Sequence, residues 1–186
     1  MKFYISDLHL GHQNVLRYDS RPFPDLDTMH AEIIRRWNAV VTPEDEVYLL
    51  GDFAWKNAVG DEVLSKLCGR KFLILGNHDK PTDFMRNTFG WIRDYAVIRD
   101  ENTQVVLCHY PIANWENQFR GAVHLYGHVH NNPDAALFRQ YLGTLAQNGM
   151  PHAAYNVGCM MPYMDYTPRT LREITAAVEQ AEQGGT

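Results

Sequence analysis

The chain has 186 residues, 45% apolar and 21% charged, which is the composition of an ordinary globular domain and excludes a disordered one. Seventeen Lys and Arg against 22 Asp and Glu leave a net charge of −5, which argues against a broad basic surface for nucleic acid. No run approaches the ~18 apolar residues of a membrane span, and three cysteines with no C-x-x-C pair exclude a disulfide scaffold and suit a reducing cytoplasm.

Length predicts a single domain over residues 1–180, with a polar tail over 181–186 that frays. Short apolar runs rich in β-branched, aromatic or Leu residues predict buried strands at 3–6, 47–50, 72–75, 104–108 and 123–126. A weaker run at 154–157 is a sixth candidate. Between the first two runs, Met29, Ile33, Ile34, Trp37 and Val40 recur at helical spacing and predict a helix over 28–41, with Asp27 or Thr28 as N-cap. A second helix is expected over 61–68, ending at Gly69, and a third over 83–89, ending at Gly90. After the fifth run, Asn132 and Pro133 open either a short helix over 133–142 or a wall or lid over a site. The capping box Thr170-Leu171-Arg172-Glu173 starts a last helix over 171–183. Strands alternating with helices imply a layered α/β domain.

The residues just past each strand carry the chemistry. In chain order these segments are Asp7-Leu8-His9, Gly51-Asp52, Gly76-Asn77-His78-Asp79, His109 and Gly127-His128-Val129-His130. The carboxyl ends of strands in open α/β sheets line the ligand crevice, so five strands deliver carboxylates, an amide and imidazoles to one rim. Singly, each is an ordinary turn or cap residue. Gly-Asn-His-Asp is rarer, with a chance occurrence of roughly 10⁻³ in a chain this long. Carboxylate, amide carbonyl and neutral imidazole suit Mn²⁺, Fe²⁺ or Zn²⁺, and one carboxylate has two oxygens with which to bridge a pair of ions.

In this order the motifs resemble those of the calcineurin-like metallophosphoesterase superfamily, from Asp7 to His130. The resemblance implies a four-layer α/β/β/α sandwich of two mixed β-sheets flanked by helices. It implies that Asp7, His9 and His130 bind one divalent metal ion, that Asn77, His109 and His128 bind a second, and that Asp52 bridges them. His78 becomes the catalytic histidine near the leaving oxygen, with Asp79 orienting it. The activity implied is hydrolysis of a small phosphomonoester or phosphodiester, nucleotide-like, by metal-bound hydroxide. Nuclease action on RNA or DNA is an alternative, and an inactive binding scaffold of the same fold is another. Protein phosphatases of the superfamily carry an Arg soon after the second motif and a Glu ending the third; here the residues are Phe53-Ala54-Trp55-Lys56 and Asp79. The opening instead resembles that of short bacterial and phage members.

Beyond the motifs, His12, Asn14, Arg17 and Lys56 are candidate substrate contacts. Trp55, Trp115 and Phe119 are candidates for stacking on a ring. His30 is expected on the surface, His124 in a structural role and His152 in a loop.

Overall fold

The computed structural model describes residues 1–184. Strands β1 (Lys2–Ile5), β2 (Glu46–Leu50), β3 (Arg70–Ile74) and β4 (Ile92–Arg93) form one sheet in that order, and every pairing in it is parallel. Parallel neighbours need a return path across the sheet. Helices α2 (Leu26–Val40), α3 (Asn57–Leu64) and α4 (Asp83–Thr88) supply it, and a four-residue helix α1 (Val15–Tyr18) precedes them. The second sheet runs β5 (Tyr95–Asp100), β6 (Thr103–Cys108), β7 (Val123–Tyr126), β8 (Ala154–Asn156). There β5 is antiparallel to β6 and the other pairs are parallel. The expected pair of mixed sheets is therefore corrected in one respect: only the second sheet is mixed. The helical crossovers force the first to be parallel.

Side-chain alternation sorts the second sheet into two faces. Val105, Leu107, Val123 and Leu125 join Ile5, Leu49 and Leu73 in one core that also holds Met29, Ile33 and Trp37 of α2. Val106, Tyr126 and Ala154 belong to a separate cluster with Ala135, Phe138 and Leu142 of helix α5 (Pro133–Gln147). The layers are thus helix, sheet, sheet, helix. Helix α6 (Leu171–Gly184) is opened by the reciprocal Thr170–Glu173 capping box and contributes buried Ile174 to the main core. The tail expected to fray from 181 is helical through Gly184, and Gly185 and Thr186 lie outside the described residues.

The strand predictions hold within two residues. β4 and β5 were not predicted, because β4 has two residues and β5 is an edge strand with an exposed Tyr95 and no clean alternation. Helix α3 starts four residues before its predicted place. Gly60 then falls inside it, where a Cβ would meet the side chains of Ala54 and Met85 at 2.7 and 2.8 Å. The glycine lets α3 sit directly on the loop after β2. Helix α5 is a wall over the outer face of the second sheet, five residues longer than expected, with Asn132 accepting from the Ala135 amide. Among the described residues no helix is long and apolar enough to cross a membrane.

Two residues make the packing testable. Trp37 is fully buried and its Nε1 donates to the Cys68 carbonyl at 3.0 Å. Trp37→Ala is expected to cost ~3–5 kcal/mol, read as a lower urea midpoint. His124 is also fully buried, between the Ile112 amide, which donates to its Nε2, and the Val106 carbonyl facing its Nδ1. Burial pushes its pKa from 6.5 down to about 4. The unfolded chain then binds the extra proton between those values, so the neutral imidazole stabilises the fold above pH 6.5 and that contribution is lost as pH falls through about 4. His124→Gln is expected to flatten the decline of the urea midpoint from pH 6.5 to 4.

Candidate metal centre

The loops after β1, β2, β6 and β7 converge at one rim. Two groups of donors stand there: Asp7, His9 and His130, and Asp52, His109 and His128. In each group the ligand atoms lie within 4.8 Å of one another. Four of these six residues have left-handed backbones, Asp7 (φ 58°), His9 (φ 50°), Asp52 (φ 52°) and His128 (φ 68°). Such conformations cost of order 1–3 kcal/mol each outside glycine and persist only where surroundings enforce them. Gly76 and Gly127 show that enforcement: a Cβ on the first would collide with the Asp52 carboxylate, and one on the second with the carboxylate of Asp7.

Asp52 links the groups. Its Oδ2 lies 3.6 Å from His9 Nε2 and 3.6 Å from His109 Nε2, while its Oδ1 accepts from the His78 amide at 3.0 Å. Asn77, expected with His109 and His128, brings its Oδ1 to 3.1 Å from His109 Nε2. His9 Nε2 and His130 Nε2 approach to 3.2 Å.

The chemistry of this donor set decides whether cations fit. His109 Nδ1 lies 2.8 Å from the Leu50 carbonyl. A carbonyl only accepts, so Nδ1 carries a proton, and it is Nε2 that faces the oxygens of Asn77 and Asp52, available as a ligand atom when the ring is neutral. Burial drops His9 to about 3, keeping it neutral, and its buried Nδ1 has no hydrogen-bond partner among the described residues. Burial also lowers His128. Burial pushes Asp7 up, but the His130 bond and the charges of His130, His109 and His9 together hold it down at about 2. His130 responds in the opposite sense: burial lowers it, but bonds to Asp19 and Asp7 hold it up at about 9. Lone pairs thus converge on one another with few donors between them, and the residues fit a pair of divalent cations. A cation would displace the His130 proton.

Sequence reasoning missed the groups behind these donors. Asp19 Oδ1 stands 2.6 Å from His130 Nδ1, fixing the ring so that Nε2 faces the cluster. Its Oδ2 accepts from Arg21 Nε and Nη2 at 3.1 and 2.9 Å. The Arg21 side chain is fully buried; it donates to the Leu8 and Asp7 carbonyls at 2.9 and 2.8 Å and so clamps the first motif by its backbone. Cys159 Sγ donates to the same Asp7 carbonyl at 3.2 Å, and burial pushes that thiol up to about 12. No motif marks Asp19 or Arg21; both lie in the irregular stretch before α2.

The role expected of Asp79 is corrected. Its carboxylate accepts from the amides of Asp52 and Gly76, both at 2.8 Å, and of Phe53 at 2.9 Å. It ties the second and third motifs together and does not orient His78. His78 itself lies at the edge, with its side chain 36% exposed and its Nε2 3.9 Å from Asp52 Oδ2.

The expected substrate contacts divide. His12 is brought to the rim, its ring 5.9 Å from His9 and stacked on Trp55 at 4.3 Å. Asn14, just before α1, and Arg17, on it, are exposed, with Arg17 5.8 Å from the Tyr18 ring. Lys56 lays its stem against Gly11, in a cleft shared with Asp27, His30 and Glu62. Trp115 is buried and donates to the Ala122 carbonyl, and Phe119 is 68% exposed on a separate turn. His30 is not free on the surface: it is half-buried and accepts from the Gly11 amide at 3.1 Å. His152 is exposed in its loop, as expected. A cleft of about 910 Å³ between α5, β8 and α6 is lined by none of the donors.

Residues 3–98 match the sequence profile of the calcineurin-like phosphoesterases. The chain belongs to the calcineurin-like phosphoesterase family. It is 35% identical over 133 residues to an uncharacterized protein of Methanocaldococcus jannaschii, covering 70% of this chain and 69% of that protein. It is 26% identical over 160 residues to the gene 66 protein of Mycobacterium phage L5, covering 69% of this chain and 77% of the phage protein. Among solved structures, a protein of unknown function from Aquifex aeolicus superposes with a TM-score of 0.71 at 27% identity, over 95% of this chain and 98% of that one.

The Asp19 contact gives a prediction. Asp19→Asn keeps an acceptor for His130 but removes the charge. One of two Mn²⁺ binding events in calorimetric titration of the metal-free protein is expected to weaken about 10–100-fold, with the other retained.

Proposed function

We propose that this chain is a metal-dependent phosphoesterase that hydrolyses a small phosphomonoester or phosphodiester at the rim built by its strand ends. Asp7, His9 and His130 would hold one divalent ion and Asn77, His109 and His128 a second, with Asp52 placed to reach both; Mn²⁺, Fe²⁺ and Zn²⁺ all suit this donor set. The observation that carries the reading is the position of Asp52 Oδ2, 3.6 Å from an imidazole of each group, so that one carboxylate reaches both. When bound, such a pair of ions neutralises charge on the phosphoryl oxygens and activates a water near neutral pH.

The protein's own groups do the rest. His78 is held through its amide by Asp52 and presents its ring at the open edge. It is placed to donate a proton or hydrogen bond from Nε2 to the departing oxygen. Asp79 keeps the backbones of Asp52 and Gly76 in register, and is a positioning residue. The free thiols of Cys68, Cys108 and Cys159 support a reducing, cytoplasmic setting. A nuclease acting on RNA or DNA needs a continuous basic groove; Lys56 instead lies beside Asp27 and Glu62, and Arg17 rests over Tyr18.

The test is hydrolysis of p-nitrophenyl phosphate and its bis-ester by protein loaded with Mn²⁺. Chelation and Asp52→Asn are each expected to abolish turnover, and His78→Asn to lower kcat by about 10²–10⁴-fold. Turnover indifferent to chelator and to Asp52→Asn would overturn the proposal.

A further inference from the structure

Beside the donor groups stands a cluster of rings that the metal chemistry leaves unused. Trp55 is 49% exposed, yet it is held in place. Its amide donates to the Leu10 carbonyl at 2.9 Å, next to a bridge between Leu10 and Ala54 that joins the loops after β1 and β2. One side of its indole is packed by His12, with centroids 4.3 Å apart and planes 28° from parallel. Its other close ring is His78, at 4.9 Å. Tyr18, 66% exposed, meets His12 edge-on at 6.4 Å. Single exposed apolar side chains are ordinary. Here an indole fixed by its backbone and backed by an imidazole keeps about half its surface in water, immediately beside a centre for phosphate esters.

We infer that Trp55, backed by His12, is a stacking platform for the base of a nucleoside phosphate; the inference rests on the phosphoesterase reading above. Trp55 touches His78, the residue on the leaving-group side, so a group stacked there belongs to the alcohol that departs. Spacing selects the kind of alcohol. His78 Nε2 is 3.9 Å from Asp52 Oδ2, and the indole lies one imidazole further out. A ring bonded directly to the ester oxygen stops at His78, whereas a sugar between oxygen and base carries the base out to Trp55. Stacking accepts any base, since every base presents a π-face. About half of Trp55 is open to solvent, which suits a base that is covered on one face only.

The experiment compares kcat/KM of the Mn²⁺-loaded protein for adenosine 5′-monophosphate, p-nitrophenyl phosphate and glycerol phosphate, in wild type, Trp55→Phe and Trp55→Ala. The preference for the nucleotide over glycerol phosphate is expected to fall roughly 5- to 100-fold in Trp55→Ala, the range for loss of one base–aromatic stack, and to be largely kept in Trp55→Phe. Because Trp55 also touches His78, the ratio of substrates is the readout and not the absolute rate. An equal loss on all three substrates overturns the platform, as does a preference that moves only for p-nitrophenyl phosphate. A second readout needs no turnover. Trp37 and Trp115 are buried and Trp91 half-buried, so saturable quenching of tryptophan fluorescence by adenosine monophosphate is expected in the metal-free protein and should vanish in Trp55→Phe. Quenching without hydrolysis of any ester keeps the platform and overturns the phosphoesterase reading. Hydrolysis of p-nitrophenyl phosphate without quenching does the reverse.

Discussion

Lone pairs that face one another at the rim are the constraint on which the rest of the molecule depends. Asp52 reaches imidazoles of both donor groups, and His109, whose Nδ1 donates to the Leu50 carbonyl, turns Nε2 on the Asn77 and Asp52 oxygens. Acceptors brought this close repel unless a cation or a proton stands between them. The fold therefore has to hold them together by force applied elsewhere.

That force is applied to the backbone. Asp79 gathers three amides from two motif loops; Arg21 takes the carbonyls of Asp7 and Leu8; the His128 amide lies 3.2 Å from both oxygens of Asp7. Apart from the Gly76 bond, each fixes a loop whose metal-donor residue sits in the left-handed region. Buried charges in such a scheme are tolerable because they are paired: Asp19 answers both Arg21 and His130. The rigidity of the main core, in which Ile5, Leu49, Leu73, Leu107 and Leu125 of both sheets belong to one buried cluster, gives these loops fixed ends from which to reach.

The donors were legible in the sequence because strands are short apolar runs and the residue after each run is a polar one with metal chemistry. The same reading failed where position along the chain misleads about direction in space. Asp79 comes directly after His78, which suggests a partner, but the turn after β3 sends its carboxylate back to the amides of Asp52, Phe53 and Gly76. Asp19 and Arg21 sit in an irregular stretch with no periodicity, and only the fold reveals that it passes behind His130. Trp55 and His12 were legible as candidates, but their stacking depends on the Leu10–Ala54 bridge, a contact between loops that are distant in the chain. Helix α3 starts four residues before the expected place, and its interior Gly60 serves close packing against Ala54 and Met85.

The sequence distance between donors has a consequence for folding. Asp7 bonds the His128 amide across 121 positions, and His130 meets Asp19 across 111. No local fragment of the chain contains either complete donor group, so closing the rim carries the loop-closure entropy of almost the whole domain. An ion would find its site only after both sheets have formed. It would then bind the native state alone and stabilise it by mass action, acting as a latch on a finished structure and not as a nucleus for an unfinished one.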